Sequence, residues 1–263
     1  MNLFEISQKV ISAVAEIEAF IMTEFKNFER HKIELKGVNS LVSYVDRQAE
    51  QFLVDELRKI LPQAGFIAEE GTGQKSENGY NWLVDPLDGT TNFVHGLPFI
   101  ATSVALMHKN EILLGVINDM VHNSMFYAVQ NGGAYLNNQK INVSETTSLA
   151  DSLVATGFPY EDFDRMSEYM NMLRDMMRRS HGLRRIGSAA LDLCYVACGR
   201  FDAFFEYNLK PWDVAAGVLI VREAGGIATD FQKGDNCIFG RELLAANPKV
   251  YPEVLEMVKK NFY

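Results

Sequence analysis

The sequence predicts a chain that mixes helix and sheet, α+β in its N-terminal half and α/β in its C-terminal half. Three observations carry that reading. Apolar residues at helical spacing open the chain, short apolar segments set off by turn formers fill 99–135, and strand-like and helix-like segments alternate after Ser148. In order, Val10, Val14, Ile17 and Ile21 put one apolar stripe on a helix from Leu3 to about Phe28. Asp46–Ile60 repeats the pattern behind a helix-starting Asp, and Pro62 ends it. Gly65–Ala68 and Trp82–Val84 read as short buried strands. Ala101–Met107, Ile112–Ile117 and Met125–Val129, split by Lys109-Asn110 and Asn131-Gly132-Gly133, read as an antiparallel meander. Then come a strand at Leu153–Thr156, a helix at Phe163–Met177, a strand at Leu183–Ile186 and a helix at Ala189–Cys198. A strand at Ala203–Glu206, a helix at Val214–Ala224, a Gly225-Gly226 turn, a strand near Leu243–Ala246 and a helix over Val250–Lys260 complete the chain. The halves, 1–140 and 141–263, join within 138–150, where nothing reads as a flexible linker, so one compact unit is expected.

Composition narrows the function. The 263 residues carry 25 Lys plus Arg against 34 Asp plus Glu, a formal net charge of −9. That balance argues against nucleic acid as the main ligand, because binding a phosphate backbone needs a positive surface. At 48% hydrophobic the chain can bury a core, yet no apolar run approaches the ~18 residues of a membrane span. The opening residues include Glu5 and lack the basic, apolar, small-residue order of a signal peptide. Three cysteines make no disulfide framework, which fits a reducing compartment. The expectation is a soluble, cytoplasmic protein with no membrane partner.

The chemistry concentrates in WLVDPLDGTTNFVH, residues 82–95. An apolar strand delivers Asp85, a Pro-Leu step turns the chain, and Asp88 follows three residues on. Two carboxylates so placed repel each other unless they share a hard cation. Gly89, Thr90, Thr91 and Asn92 then cap or begin a helix, where main-chain amides suit phosphate oxygens. Glu69-Glu70 ends the strand GFIA, at a sheet edge where acids also simply face water. Asp213, in PWDVAAG, sits between an apolar strand and a helix; it is either a helix cap or a further ligand.

These blocks resemble the inositol monophosphatase family, the magnesium-dependent, lithium-sensitive phosphomonoesterases. The resemblance rests on AEEGT at 68–72, WLVDPLDGTTNFVHGLPF at 82–99, RRIGSAALDLCYVACGRFDAFFE at 184–206 and PWDVAAGVLIVREAGG at 211–226. It implies a layered αβαβα sandwich of the sugar-phosphatase type, a homodimer, and two to three Mg²⁺ ions per site. Glu69, Asp85 and the Leu87 carbonyl would hold one ion. Asp85, Asp88 and Asp213 would hold a second, and Glu69 with waters a weaker third. Thr90, oriented by Asp46, would position and help deprotonate the attacking water. The Gly89 and Thr90 amides would hold the phosphate, Glu206 would contact a substrate hydroxyl, and Asp88 and Ala189 would line the ring, with Ser188 beside them. An all-oxygen set favours magnesium over zinc or iron, and no phosphoenzyme is needed. The implied partner is a small phosphorylated metabolite, foremost inositol monophosphate. NADP phosphatase and fructose-1,6-bisphosphatase activity are the alternatives within the class, because the specificity loops, Thr72–Asn78 and Pro159–Arg165, have no readable placement. One departure concerns Asn39-Ser40-Leu41-Val42-Ser43, where Ser40 stands for the family's acid and Ser43 for its Thr. It bears on the third ion, near which Lys36 belongs to a mobile loop or is a solvated lysine.

Other motifs compete. Cys194 and Arg200 have the C-x5-R spacing of thiol phosphatases, but LDLCYVAC is a helical pattern, so Cys194 and Cys198 read as helix-face residues; Cys237 is isolated. Asp162-Phe163-Asp164 lacks the strand an aspartyl nucleophile requires. The histidines, 31, 95, 108, 122 and 181, show no metal spacing, and His95 is expected to make a structural hydrogen bond. Arg174, Arg178, Arg179, Arg184 and Arg185 form either a solvated face, a dimer contact or a grip on a second phosphate. Met166, Met170, Met172, Met176 and Met177 are expected to pack a core or an interface. A second function class, a regulatory protein that binds RNA or transcription machinery with incidental catalysis, rests on the arginine segment alone.

Overall fold

The computed structural model describes residues 1–28, 33–35, 41–77, 79–160 and 163–263, with 33–35 and 41–43 described by backbone alone. His31, Lys36, Asn39, Ser40 and Asp162 lie outside the described residues. Two long helices come first, α1 (Leu3–Asn27) and α2 (Tyr44–Ile60), separated by a small antiparallel pair, β1 (Ile33–Leu35) and β2 (Leu41–Ser43). Asp46 does not start its helix, as expected from sequence, but lies buried in the first turn of α2.

Next come β3 (Gly65–Ala68), β4 (Tyr80–Asp88), the short helix α3 (Thr90–His95), and β5 (Ala101–His108), β6 (Glu111–Asp119) and β7 (Ser124–Val129). The hairpin β8 (Ala134–Leu136) and β9 (Gln139–Ile141), absent from the sequence reading, completes a seven-stranded sheet in the order β3-β4-β5-β6-β7-β8-β9. Only the β3–β4 pair is parallel, so the meander is as expected.

The second half runs β10 (Leu153–Thr156), α4 (Met166–Arg179), β11 (Gly182–Arg184), α5 (Ala189–Ala197), β12 (Ala203–Tyr207), α6 (Pro211–Glu223), β13 (Ile227–Thr229), β14 (Glu242–Ala246) and α7 (Tyr251–Phe262). Its sheet has the order β11-β10-β12-β14-β13. The helix expected from Phe163 begins three residues later, at Met166, and the strand β13 was not foreseen.

Three cores alternate with the sheets. Trp82, Val84, Val104 and Leu106 bury one face of the first sheet against α1 and α2. Their strand neighbours Leu83, Ala101, Ala105 and Met107 point the other way, into a core shared with α5, α6 and the second sheet. Along β12 and β14, Phe204, Leu243 and Ala245 face that central core, while Phe205, Leu244 and Ala246 face a third core under α4 and α7. The result is two sheets layered with helices, αβαβα. Helix α5 is buried along its whole length, as a helix apolar all round must be. Gly115 lets α6 approach β6: a Cβ there would lie 2.8 Å from Ala216 Cα. Among the described residues no helix is long and apolar enough to cross a membrane.

Candidate active site

The C-terminal end of β4 supplies the first acids. The strand does not turn at Pro86-Leu87, as expected; it runs on to Asp88 through a bulge between Asp85 and Asp88. The Leu87 amide donates to Asp85 Oδ1 at 3.0 Å and closes the bulge, so both acids reach one cavity of about 280 Å³. Gly89 follows in the left-handed region, with φ 94°, and a Cβ there would lie 2.6 Å from the Phe99 carbonyl oxygen; only glycine fits. Thr90 then starts α3. Its hydroxyl oxygen lies 3.2 Å from Asp46 Oδ1 and 3.2 Å from the Leu87 carbonyl oxygen, so its single proton serves one acceptor at a time.

Glu69 enters from the end of β3, its amide donating to the Val84 carbonyl at 3.2 Å. The Glu50 carboxylate accepts from the amides of Glu70 and Thr72 at 2.7 and 2.8 Å and so pins the loop that carries Glu69. Asp213 occupies the first turn of α6. Its Oδ2 accepts from the Lys210 amide at 2.7 Å, so it caps the helix and lines the cavity at once. Asp88 Oδ2 accepts from Ser188 Oγ at 2.6 Å and from the Ala190 amide at 2.7 Å, which binds the end of β4 to the start of α5. Glu206, at the end of β12, is buried against Gly157, where a Cβ would lie 1.9 Å from its Oε2.

Every residue expected at the site is therefore on or against one cavity. Glu69, Asp85, Leu87, Asp88, Gly89 and Thr90 come from the first half; Ser188, Ala189, Glu206 and Asp213 come from the second. Asp46 stands behind Thr90. Sequence reasoning missed Asp192 and Gly157 and left Arg185 in a basic cluster read as a solvated face, a dimer contact or a grip on a second phosphate. An acid inside the apolar helical run AALDLCYVA was the signal for Asp192.

The electrostatics are lopsided. Six carboxylates, those of Glu69, Asp85, Asp88, Asp192, Glu206 and Asp213, line the cavity against Arg185 and Lys210. Burial, then Glu69, Asp88 and Asp213, hold Asp85 well above the usual carboxylate range, and Glu69 lies within hydrogen-bonding reach of it. Burial pushes Asp88 up to about 6, against the opposing pull of Ser188, Ala190 and Arg185. Asp213 is raised by burial and by Asp88, Asp192 by burial and Glu206, and Glu206 by burial and Asp213. Among the described residues no three His, Cys, Asp or Glu side chains are already drawn together into a metal cage. Nevertheless, the Glu69, Asp85, Asp88 and Asp213 carboxylates, with the Leu87 carbonyl beside them and no His or Cys, form a donor set suited to a hard divalent cation.

The competing motifs fall away. Cys194 is buried in α5, its thiol pushed up by burial, and Arg200 lies over the Tyr195 ring at 4.8 Å. His95 is exposed and, among the described residues, makes none of the expected hydrogen bonds. Met172 and Met176 are buried, whereas Met170 and Met177 are exposed. In the arginine segment, Arg179 approaches Glu253 at 3.8 Å on the surface, while Arg185 lines the cavity.

The chain belongs to the inositol monophosphatase family, whose profile matches residues 3–261. It is 44% identical over 233 residues to the putative Nus factor SuhB of Neisseria meningitidis serogroup B, spanning 88% of this chain and 89% of that one. It is 38% identical over 252 residues to the inositol-1-monophosphatase of Rhizobium meliloti, spanning 95% of each. The crystal structure of the extragenic suppressor protein suhB from Bartonella henselae superposes with a TM-score of 0.92 at 37% identity, covering 97% of this chain and 99% of that one.

Proposed function

We propose that this chain is a Mg²⁺-dependent phosphomonoesterase that hydrolyses inositol monophosphate to inositol and phosphate. One observation carries the reading: four acids from both halves of the chain meet at a cavity also lined by Glu206 and by Thr90, whose hydroxyl is backed by Asp46. Glu69, Asp85 and the Leu87 carbonyl would hold one ion, and Asp85, Asp88 and Asp213 a second, with Glu69 serving a third. Bound there, Mg²⁺ supplies Lewis-acid stabilisation of phosphoryl charge and a water of lowered pKa.

The chain's own groups do the rest. Asp46 takes the Thr90 hydroxyl proton in its hydrogen bond, which turns the Thr90 lone pairs toward an incoming water. That water passes its proton to Thr90 Oγ1, whose own proton moves to Asp46, as its oxygen bonds to phosphorus in line with the ester oxygen; the ester P–O bond breaks and the departing alkoxide takes a proton from solvent water. The Gly89 and Thr90 amides, on the cavity wall, would hold phosphoryl oxygens. Glu206 and Ala189 meet the alcohol side. We take residues 1–140 and 141–263 as one unit, a reading supported by the hydrogen bonds of Asp88 to Ser188 and Ala190.

Phosphate release from inositol 1-phosphate, fructose 1,6-bisphosphate, NADP, adenosine 3′,5′-bisphosphate and histidinol phosphate, with and without Mg²⁺ and Li⁺, tests this. Magnesium-dependent, lithium-inhibited release led by inositol 1-phosphate is expected. A lead for NADP or fructose 1,6-bisphosphate transfers the assignment to those activities, and no release with no Mg²⁺ binding overturns the enzyme. A cytoplasmic homodimer is part of the same proposal; light scattering checks the dimer.

The Nus-factor name of the Neisseria relative favours a second reading, a regulatory RNA- or protein-binding member with incidental catalysis. The net charge of −9 weighs against RNA. RNA retention that is salt-sensitive and indifferent to Asp88→Asn supports this reading; no retention removes its RNA form.

A further inference from the structure

Arg185 is the least employed charge in the cavity. A guanidinium carries five N–H donors, yet among the described residues Arg185 donates one hydrogen bond, from Nη2 to Tyr160 Oη at 2.6 Å. Its Nε is buried with no acceptor, and it makes no ion pair among those residues. Stacking holds it instead: its carbon centre lies 5.1 Å from the Phe158 ring centroid and 5.6 Å from that of Tyr160. Nη1 packs over Gly187, where a Cβ would lie 2.6 Å away, and so borders the Ser188-Ala189 wall. A rigid, donor-rich group that lines the cavity with most of its N–H donors unused by the described residues is matched by acceptor oxygens on a ligand.

The charge around it decides which oxygens. Arg185 lines the cavity together with Asp88, Asp192 and Glu206, so the groups around it are predominantly acidic. A second phosphate would meet no net positive charge there. A neutral hydroxyl adds no charge, accepts from the guanidinium, and donates onward to a carboxylate. Two are at hand: Glu206, and Asp192, whose Oδ1 is buried with no donor.

We propose that Arg185, clamped by Phe158 and Tyr160, is a specificity-determining residue that reads the hydroxyl oxygens of a neutral polyol monophosphate and disfavours bisphosphates. The inference rests on the phosphomonoesterase reading above.

The test compares kcat/KM for inositol 1-phosphate with that for 4-nitrophenyl phosphate, which has no hydroxyl, in wild type and Arg185→Gln at saturating Mg²⁺. A hydrogen bond to a charged group supports a loss of about 10-fold or more in that ratio, expressed chiefly in KM for the hydroxylated substrate. An unchanged ratio overturns the proposal, and so does a larger loss on fructose 1,6-bisphosphate than on inositol 1-phosphate, which would mark a second-phosphate grip. Tyr160→Phe removes only the surface hydroxyl that anchors the guanidinium. It should lower the same ratio by a smaller factor, and it serves if Arg185→Gln does not fold; no change there counts against the clamp. If wild type hydrolyses neither compound, the phosphatase reading fails by itself. Calorimetry with myo-inositol then tests Arg185 alone: about 10-fold weaker binding by Arg185→Gln sustains the assignment, and equal binding ends it.

Discussion

Asp88 divides its two carboxylate oxygens between structure and chemistry. Oδ2 is committed to Ser188 and Ala190, which leaves Oδ1 for the cavity. Asp88→Asn keeps the shape, and its amide can still accept at one oxygen, but the negative charge is gone. Phosphate release should fall by more than about 100-fold, since even outer partners of a metal site are worth ~10–100-fold. Calorimetric Mg²⁺ titration of the same variant should show weakened binding; full affinity and full turnover would refute the metal assignment. Thr90 poses a different question, because its hydroxyl has two competing acceptors. Thr90→Val removes the proton path and preserves volume, so kcat should fall by about 100-fold or more with Mg²⁺ affinity retained, in line with general acid–base contributions of ~10²–10⁴. Steady-state kinetics beside a Mg²⁺ titration separate the two effects.

Each element of the site relies on a local irregularity. Without the bulge in β4, alternation along the strand would send Asp85 and Asp88, three residues apart, to opposite faces. Gly89 then reverses the chain into α3 at a backbone angle that L side chains avoid. Gly89→Ala should lower stability by about 1–3 kcal/mol, the usual cost of a residue held in that region, with an added clash against the Phe99 carbonyl. Thermal melts measure it; an unshifted midpoint would show that the turn relaxes freely. On the other side of the cavity, Tyr169 and Thr156 are tied to each other at 2.8 Å and hold the Gly157 segment against Glu206. That contact explains how an exposed loop at Phe158–Tyr160 can present a buried acid and a clamped arginine together.

At the scale of the whole molecule, the three cores fix two half-sites against each other, and what they concentrate is negative charge. Asp85, Asp88 and Asp213 all bind protons more tightly in the folded chain than in the unfolded one. The native state therefore holds more protons at pH values above the ordinary carboxylate range near 4, and linkage makes stability fall as pH rises through the raised values. Metal-free protein should melt at lower temperature at pH 7 than at pH 5, with Asp88 contributing around pH 6. Added Mg²⁺ should reverse that loss at pH 7 and do little at pH 5, because it binds only the ionised acids. Scanning calorimetry with EDTA or Mg²⁺ checks the sign; a melting temperature that rises from pH 5 to 7 without metal would contradict it. Much of this was readable from the chain alone. Helical spacing marked α1, turn formers between short apolar segments marked the β5–β7 meander, alternating strand-like and helix-like segments marked the half after Ser148, and four motif blocks marked the residues that converge on the cavity. Those signals are local, so they survive in one dimension. The bulge at Pro86, the double duty of Asp88 and Asp213, and the hairpin β8–β9 with its three-residue strands were not readable, because short or irregular backbone leaves no periodic trace. Asp192 and Arg185 were decided only by tertiary structure: a lone acid in an apolar helix and one arginine among five acquire meaning when folding sets them beside Glu206, which no spacing along the chain encodes.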